Sequence, residues 1–240
     1  MRLVRLLKNR INRVRHGLRR QISYAQCGED IIIAYVFGAL GVDKIRYLDI
    51  GAHHPSYLSN TYLFYTQGHQ GVCVEPDVTL LPAFRTRRPR DTLLNIGIAP
   101  EEGEADFFVM STPTLNTFSR EEAERVASYG SQRIERVERV RIRPVNTVIA
   151  ESFATLPNLL SLDVEGLDLA ILQSLDFSAC APEVICVETL SYTEDRSERK
   201  LTEIIDFVTA QGYFVYADTY VNSIFVRTDA WRNRGKAGAA

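Results

Sequence analysis

Two short apolar runs constrain this chain more than any other feature: Tyr47-Leu48-Asp49-Ile50-Gly51-Ala52-His53-His54 and Gly71-Val72-Cys73-Val74-Glu75-Pro76. The first reads as a buried strand breaking into a glycine turn, the second as a strand ending in a carboxylate. An Asp-x-Gly turn followed by an acid at the next strand tip is how α/β folds hold an adenosine. A dinucleotide site needs Gly-x-Gly-x-x-Gly, because glycines let the backbone approach a pyrophosphate at a helix N-terminus. Here no glycine follows Gly51 until Gly68. The loop therefore favours an adenosine cofactor without phosphates, and S-adenosylmethionine is the expectation.

The rest of the chain repeats the alternation. An apolar helix is predicted from Glu29 to Leu40, with its two acids at the end the helix dipole favours. Strands follow at Arg46–Ile50, Gly71–Glu75 and 91–98, with helices near 59–67 and 78–87 between them. Glu104–Met110 and Arg136–Pro144 resemble a meander around a charged, partly helical stretch, 119–139. Asn158–Asp163 is a near-continuous apolar run, as expected of a central parallel strand buried on both faces. A helix over Leu167–Leu175, a strand over Glu183–Glu188 and a long helix over Ser197–Gln211 come next. Strands Tyr213–Ala217 and Ser223–Arg227 end the pattern, joined too tightly for a crossover. The fold class expected is α/β: a doubly wound, Rossmann-like, mostly parallel sheet with an antiparallel C-terminal edge hairpin.

Length, at 240 residues, suits one such domain. The longest apolar run, Ile31 to Val42, holds twelve residues, short of the roughly 18–20 of a spanning helix. The net charge of −2 hides an asymmetry. Residues 1–20 hold eight Arg or Lys and no acid, so the other 220 residues carry 20 basic against 30 acidic side chains. Leu3, Leu7, Ile11, Val14 and Leu18 recur there at helical spacing. Such a basic amphipathic segment is either a solvated terminal helix or a peripheral contact with an anionic membrane face. Cys27, Cys73, Cys180 and Cys186 form no Cys-x-x-Cys or Cys/His ligand pattern, which points to a reducing, cytoplasmic setting without disulfides or zinc. The Arg85–Arg90 stretch lacks aromatic interleaving and reads as a solvated turn rather than a nucleic-acid surface.

Four blocks now resemble the FkbM family of S-adenosylmethionine-dependent methyltransferases. They are Ser23-Tyr-Ala-Gln-Cys-Gly-Glu-Asp30, Tyr47-Leu-Asp-Ile-Gly-Ala-His-His-Pro55 with Ser59-Asn60-Thr61, Gly71-Val-Cys-Val-Glu-Pro76, and Leu160-Ser-Leu-Asp-Val-Glu-Gly-Leu-Asp168. The family often has Gly-Ala-Asn-x-Gly where His53-His54-Pro55 stands, and a Lys before the Asp-Val-Glu-Gly block. The resemblance implies a methyltransferase domain over 23–230, between the basic segment 1–22 and a tail, 231–240, expected to be disordered.

It also implies roles. Asp49, Gly51 and Ala52 would hold the methionine part of the cofactor; capping a tight turn is the alternative for Asp49. Glu75 would accept both ribose hydroxyls, which two acceptor oxygens suit. Asn95 would lie at the adenine edge or simply make a turn, and Gln26 would line the cofactor entrance, with Glu29 and Asp30 beside it or capping the helix. Asp163 and Glu165 are the candidate general bases for an acceptor hydroxyl. Glu165 and Asp168 could instead cap the next helix, or Asp163, Glu165 and Glu188 could bind Mg²⁺ or Ca²⁺. Of His53 and His54, the former is placed at the cleft. The acceptor implied is a hydroxyl on a sugar, a small-molecule or lipid-linked glycan precursor, or a related metabolite. Two other classes stay open at this level: an NAD(P)-dependent oxidoreductase and a catalytically silent nucleotide-binding module.

Overall fold

The computed structural model describes residues 22–235; the basic segment 1–20 lies outside them. Its first helix, α1 (Glu29–Leu40), starts and stops at glycines in left-handed conformation, Gly28 and Gly41. It leads into β1 (Arg46–Ile50), α2 (Tyr62–Thr66), β2 (Gln70–Val74), α3 (Leu81–Arg87) and β3 (Thr92–Leu94). A second small sheet is built from β4 (Gly97–Ile98), β5 (Gly103–Met110) and β6 (Ile134–Arg143), with α4 (Arg120–Ser128) between its long strands. The chain then returns through α5 (Val145–Ser152), β7 (Leu159–Leu162), α6 (Asp168–Ser174), β8 (Val184–Glu188) and α7 (Thr202–Ala210). It ends in β9 (Tyr213–Asp218), β10 (Asn222–Arg227) and α8 (Thr228–Asn233).

The main sheet has seven strands in the order β3-β2-β1-β7-β8-β10-β9. Pairings from β3 through β8 are parallel, and β10 runs antiparallel between β8 and β9. The order reverses between β1 and β7, which is where an open α/β sheet places its ligand. Strand periodicity divides the core. Leu48 and Ile50 of β1 pack under α5, α6 and α7, whereas Tyr47 packs toward α1, α2 and α3. Helices thus cover both faces, as a parallel sheet requires. This is the class I methyltransferase architecture, with its antiparallel closing strand.

Several expectations are corrected. The strand foreseen over 91–98 is two: the Asn95 side chain donates to the carbonyls of Glu75 and Pro76 at 2.9 and 2.8 Å, and the chain leaves the main sheet there. β4 pairs with β6 instead. The helix foreseen from Ser197 begins at Thr202, because Lys200 bridges to Leu190 and its ammonium holds Asp218 at 2.8 Å. α5 carried no helical expectation. The C-terminal tail is ordered through α8, whose Trp231 packs against Tyr216 at 5.2 Å between ring centroids; residues 236–240 lie outside the described part.

The solvated turn expected at Arg85–Arg90 holds for Arg85 and Arg87 but fails at Arg88, which is buried. Its guanidinium donates to Asp91 at 2.7 Å and Thr61 at 2.9 Å, stands 3.8 Å from Asp49 and lies over the Tyr47 ring. Desolvating a guanidinium is tolerated only when its donors are met in this way. Among the described residues, no helix is long and apolar enough to cross a membrane.

Candidate active site

A cavity of about 300 Å³ opens at the carboxyl ends of β1, β2, β7 and β8. Its floor is Gly51, Glu75, Asp163 and Glu188, the residues at which those strands end or just past their ends. Its roof is the β5–β6 excursion, contributing Phe107, Phe118 and the segment Thr112–Asn116. Two side-chain ties hold that roof in place. Thr117 donates its hydroxyl to the Glu165 carbonyl at 2.7 Å, and Asn116 donates to Asp77 at 3.3 Å.

Gly51 sits at φ +75°, with the Asp163 carbonyl pressed against its Cα, so its bareness makes room for the neighbouring strand. Glu75 is buried, and each of its oxygens accepts one backbone amide at 2.7 Å, from His53 and from Asp77. A carboxylate oxygen has two acceptor sites, so each retains one directed elsewhere. Burial pushes Glu75 up to about 8, against the pull of those two amides.

The other sequence-derived residues divide. His53, at φ +47°, lines the cavity with its Nδ1 buried and unpartnered, and burial lowers its pKa, with His54 adding to the effect. His54 turns into its own loop, accepting the amides of Ser56 and Tyr57. Gln26 stands at the cavity wall, in a turn organised by Asp30, which accepts the Ser23 hydroxyl and the Tyr24 amide. Asp49, Ala52 and Asn95 are not among the lining residues. Asp49 accepts the Thr61 hydroxyl and faces Arg88, and burial still raises its pKa despite both. Ala52 is buried in the core beneath α1 and α2, and Asn95 makes the clip described above.

Asp163, Glu165 and Glu188 converge: one oxygen of each lies within 4.8 Å of the others. Burial, then the charges of Asp168 and Asp49, pushes Asp163 up to about 7, whereas burial and then neighbouring carboxylates, Asp163 first, raise Glu165 and Glu188 well above the carboxylate range. Glu165 is presented by a left-handed pair, φ +52° at Glu165 and +101° at Gly166. Asp168 braces this turn by accepting the amides of Val164 and Gly166, which precede α6, so neither Asp168 nor Glu165 caps that helix.

Sequence reasoning passed over Asn222, Tyr192, the Thr112–Asn116 roof and any role for Asn60. Asn222 starts β10 directly opposite Glu188. Its Nδ2 donates to Glu29 at 3.1 Å, which leaves its buried Oδ1 without a partner. Asn60 had appeared only inside a motif block, and it donates to Ser161 at 3.3 Å.

The cavity fits an adenosine bearing a sulfonium and an amino acid tail. It offers a buried carboxylate with spare acceptor sites for a ribose, apolar walls from Ile50, Val74, Ile96 and Ile98, and unpartnered polar atoms on His53 and Asn222.

Comparison with known proteins agrees. The methyltransferase FkbM domain matches residues 49–215. Curated proteins give no significant match. Among solved structures, a methyltransferase FkbM from Methylobacillus flagellatus KT is 14% identical with a TM-score of 0.45, over 77% of this chain and 44% of that one. This chain therefore spans less than half the length of that protein. A TehB-like SAM-dependent methyltransferase from Corynebacterium glutamicum is 11% identical, with a TM-score of 0.42 over 92% of this chain and 97% of that one. SAM-bound CalS10, an amino pentose methyltransferase from Micromonospora echinaspora involved in calicheamicin biosynthesis, is 11% identical, with a TM-score of 0.43 over 88% and 100%. With the strand order and cavity already in place, the family match over more than half the chain completes the assignment: the chain belongs to the FkbM methyltransferase domain family.

Proposed function

We propose that the chain methylates a hydroxyl oxygen on a sugar or glycan precursor, either a free small molecule or a lipid-linked one. The observation that carries this reading is the carboxylate cluster at the tips of β7 and β8, Asp163, Glu165 and Glu188, which borders the cavity. When bound, S-adenosylmethionine supplies an electrophilic methyl group. The acceptor oxygen must then be placed in line and must shed its proton. A carboxylate whose pKa is raised by burial suits that proton, because a general base works best close to the operating pH. Polar side chains at the cavity edge, Asn60, Thr112, Thr114 and Asn116, suit an acceptor rich in hydroxyls.

In this reading Asp163 takes the proton, Glu165 contacts the acceptor and His53 borders the cofactor. Glu75, Gly51 and Gln26 form the cofactor side. Asp49, Ala52 and Asn95 act one layer back, by fixing the β1 and β2 strand ends from which the loop springs. The basic segment 1–20 favours the lipid-linked form of the acceptor, since Arg-rich amphipathic segments bind anionic bilayers. The test is transfer of labelled methyl from S-adenosylmethionine to a panel of nucleotide sugars, polyprenyl-linked glycans and matched amino sugars, with Asp163→Asn alongside. Label in an ether product, falling about 10²- to 10⁴-fold in the variant while S-adenosylhomocysteine binding persists, supports the reading. Label confined to amine acceptors would remove it.

A further inference from the structure

Acidic clusters are common, and what distinguishes this one is its fourth neighbour. Asn222 is 4% exposed, lines the same cavity as Asp163, Glu165 and Glu188, and sits opposite Glu188 in the β8–β10 ladder. Directly paired side chains share a face of the sheet, with Cβ atoms about 4.5–5.5 Å apart. The orientation of its amide is settled by Glu29, a buried carboxylate that takes Nδ2 on one side and the Thr219 hydroxyl on the other. Flipping the amide would set Oδ1 against that carboxylate. The Oδ1 atom is thus left buried and unpartnered on the cavity side.

Three converging carboxylates and an unpartnered amide oxygen, that of the residue paired with Glu188, therefore line one cavity with too few donors. Buried acceptors in folded proteins are almost always satisfied. A single proton shared between Asp163 and Glu188 serves those two and does nothing for Asn222. Arg125, whose charge Glu165 feels, is engaged by Glu122 and by the Tyr192 carbonyl at 2.8 Å. Three carboxylates plus one amide oxygen is the donor set of a hard divalent cation. Two ligands of one ion lie at most two metal–oxygen distances apart, about 4.2 Å for Mg²⁺ and about 4.6–5.2 Å for Ca²⁺. The carboxylate oxygens here, all within 4.8 Å of one another, meet the second limit and approach the first.

We propose that Asp163, Glu165, Glu188 and the side-chain oxygen of Asn222 form a binding site for one Mg²⁺ or Ca²⁺ ion in the wall of the cavity. Four protein ligands leave coordination positions open toward the cavity. Two neighbouring hydroxyls of an acceptor would fill them; with the ion bound, its charge rather than a free Asp163 would ease loss of the hydroxyl proton, and this last role rests on the function proposed above. The binding itself does not.

The test is calorimetric titration of the full chain with MgCl₂ and with CaCl₂ in separate runs, repeated on Glu188→Gln, Asn222→Asp and Glu102→Gln. Glu102 is an exposed acid outside the cluster, paired with Arg141. Saturable 1:1 binding with a dissociation constant below about 1 mM, weakened at least tenfold by Glu188→Gln and kept by Asn222→Asp and Glu102→Gln, supports the site. The salt that gives it names the ion. Glu188→Gln is isosteric and removes a repulsion, so circular dichroism should show it folded. No saturable binding of either cation by the folded wild-type chain would overturn the proposal, and so would a Glu188→Gln variant that binds as well as wild type. A parallel titration with S-adenosylhomocysteine separates the two readings. Binding of that ligand without either cation sinks only the metal site, and cation binding without it sinks only the cofactor assignment.

Discussion

The Asp163 carbonyl oxygen occupies the space in which Gly51 would carry a side chain: a Cβ there would stand 1.7 Å from it. Two central parallel strands thus end in mutual contact, and the cofactor loop and the acidic loop leave from one point. Gly51→Ala must both push β7 back and hold an L-residue at φ +75°. Overpacking costs about 1–3 kcal/mol and the left-handed backbone about 1–2 kcal/mol more. Urea unfolding of this variant should show a loss of about 2–5 kcal/mol, and calorimetry should show S-adenosylhomocysteine binding abolished. A wild-type midpoint would mean that the contact relaxes at no cost.

Glu75 gives a pH signature. Its ordinary value of 4.5 rises to about 8 in the folded chain. Between those two values the folded state keeps a proton that the unfolded state has lost. Its contribution to stability is therefore largest below about 4.5 and declines as the pH climbs to about 8. In the proposed cofactor site the ionised Glu75 carboxylate accepts the ribose hydroxyls, so affinity for S-adenosylhomocysteine should rise about tenfold per pH unit up to about 8 and level off above it. Glu75→Gln should bind weakly and without that slope. Equal slopes in the two proteins would assign the titration to another group.

Arg88 predicts a stability effect without chemistry. Arg88→Met removes the cation that faces Asp49 and Asp91 in a buried setting. Breaking a buried pair from one side costs about 3–5 kcal/mol, because the remaining charge has no compensation. Chemical denaturation should show a loss of that size. Arg87→Met, one residue earlier and exposed, should fall within about 0.5 kcal/mol of wild type.

The basic segment 1–20 predicts salt-sensitive association with anionic vesicles, lost when those residues are deleted and absent with neutral vesicles. Sedimentation with the two vesicle types reads this directly. Equal association of the truncated chain would place any membrane contact elsewhere.

The buried strands were legible to within a residue because the sheet is covered on both sides. Arg46–Ile50 and Glu183–Glu188 are apolar runs that admit little else. Strand-tip acids were legible for the same reason, since the position that follows a buried run in a parallel sheet points at the cleft. What the sequence withheld depends on partners distant along the chain. Arg88 is buried because Tyr47, Asp49 and Thr61 surround it, and no local pattern announces that. The break at Asn95 follows from carbonyls of the neighbouring strand. The roof segment Thr112–Asn116 lies on an excursion whose alternating charges, from Arg136 to Arg143, mark only a strand with a wet face. Asn222 looks like any strand residue until its pairing with Glu188 is known.

The bond between Glu29 and Asn222 joins the first described helix to the last strand, 193 residues apart. A ribosome releases this chain from its N-terminus, so Glu29 waits through most of synthesis for its partner. The cavity floor closes only when β10 slots between β8 and β9. A nascent chain arrested before Asn222 would hold every strand-tip acid and still lack a finished site, so competence to bind should arrive late and abruptly during translation.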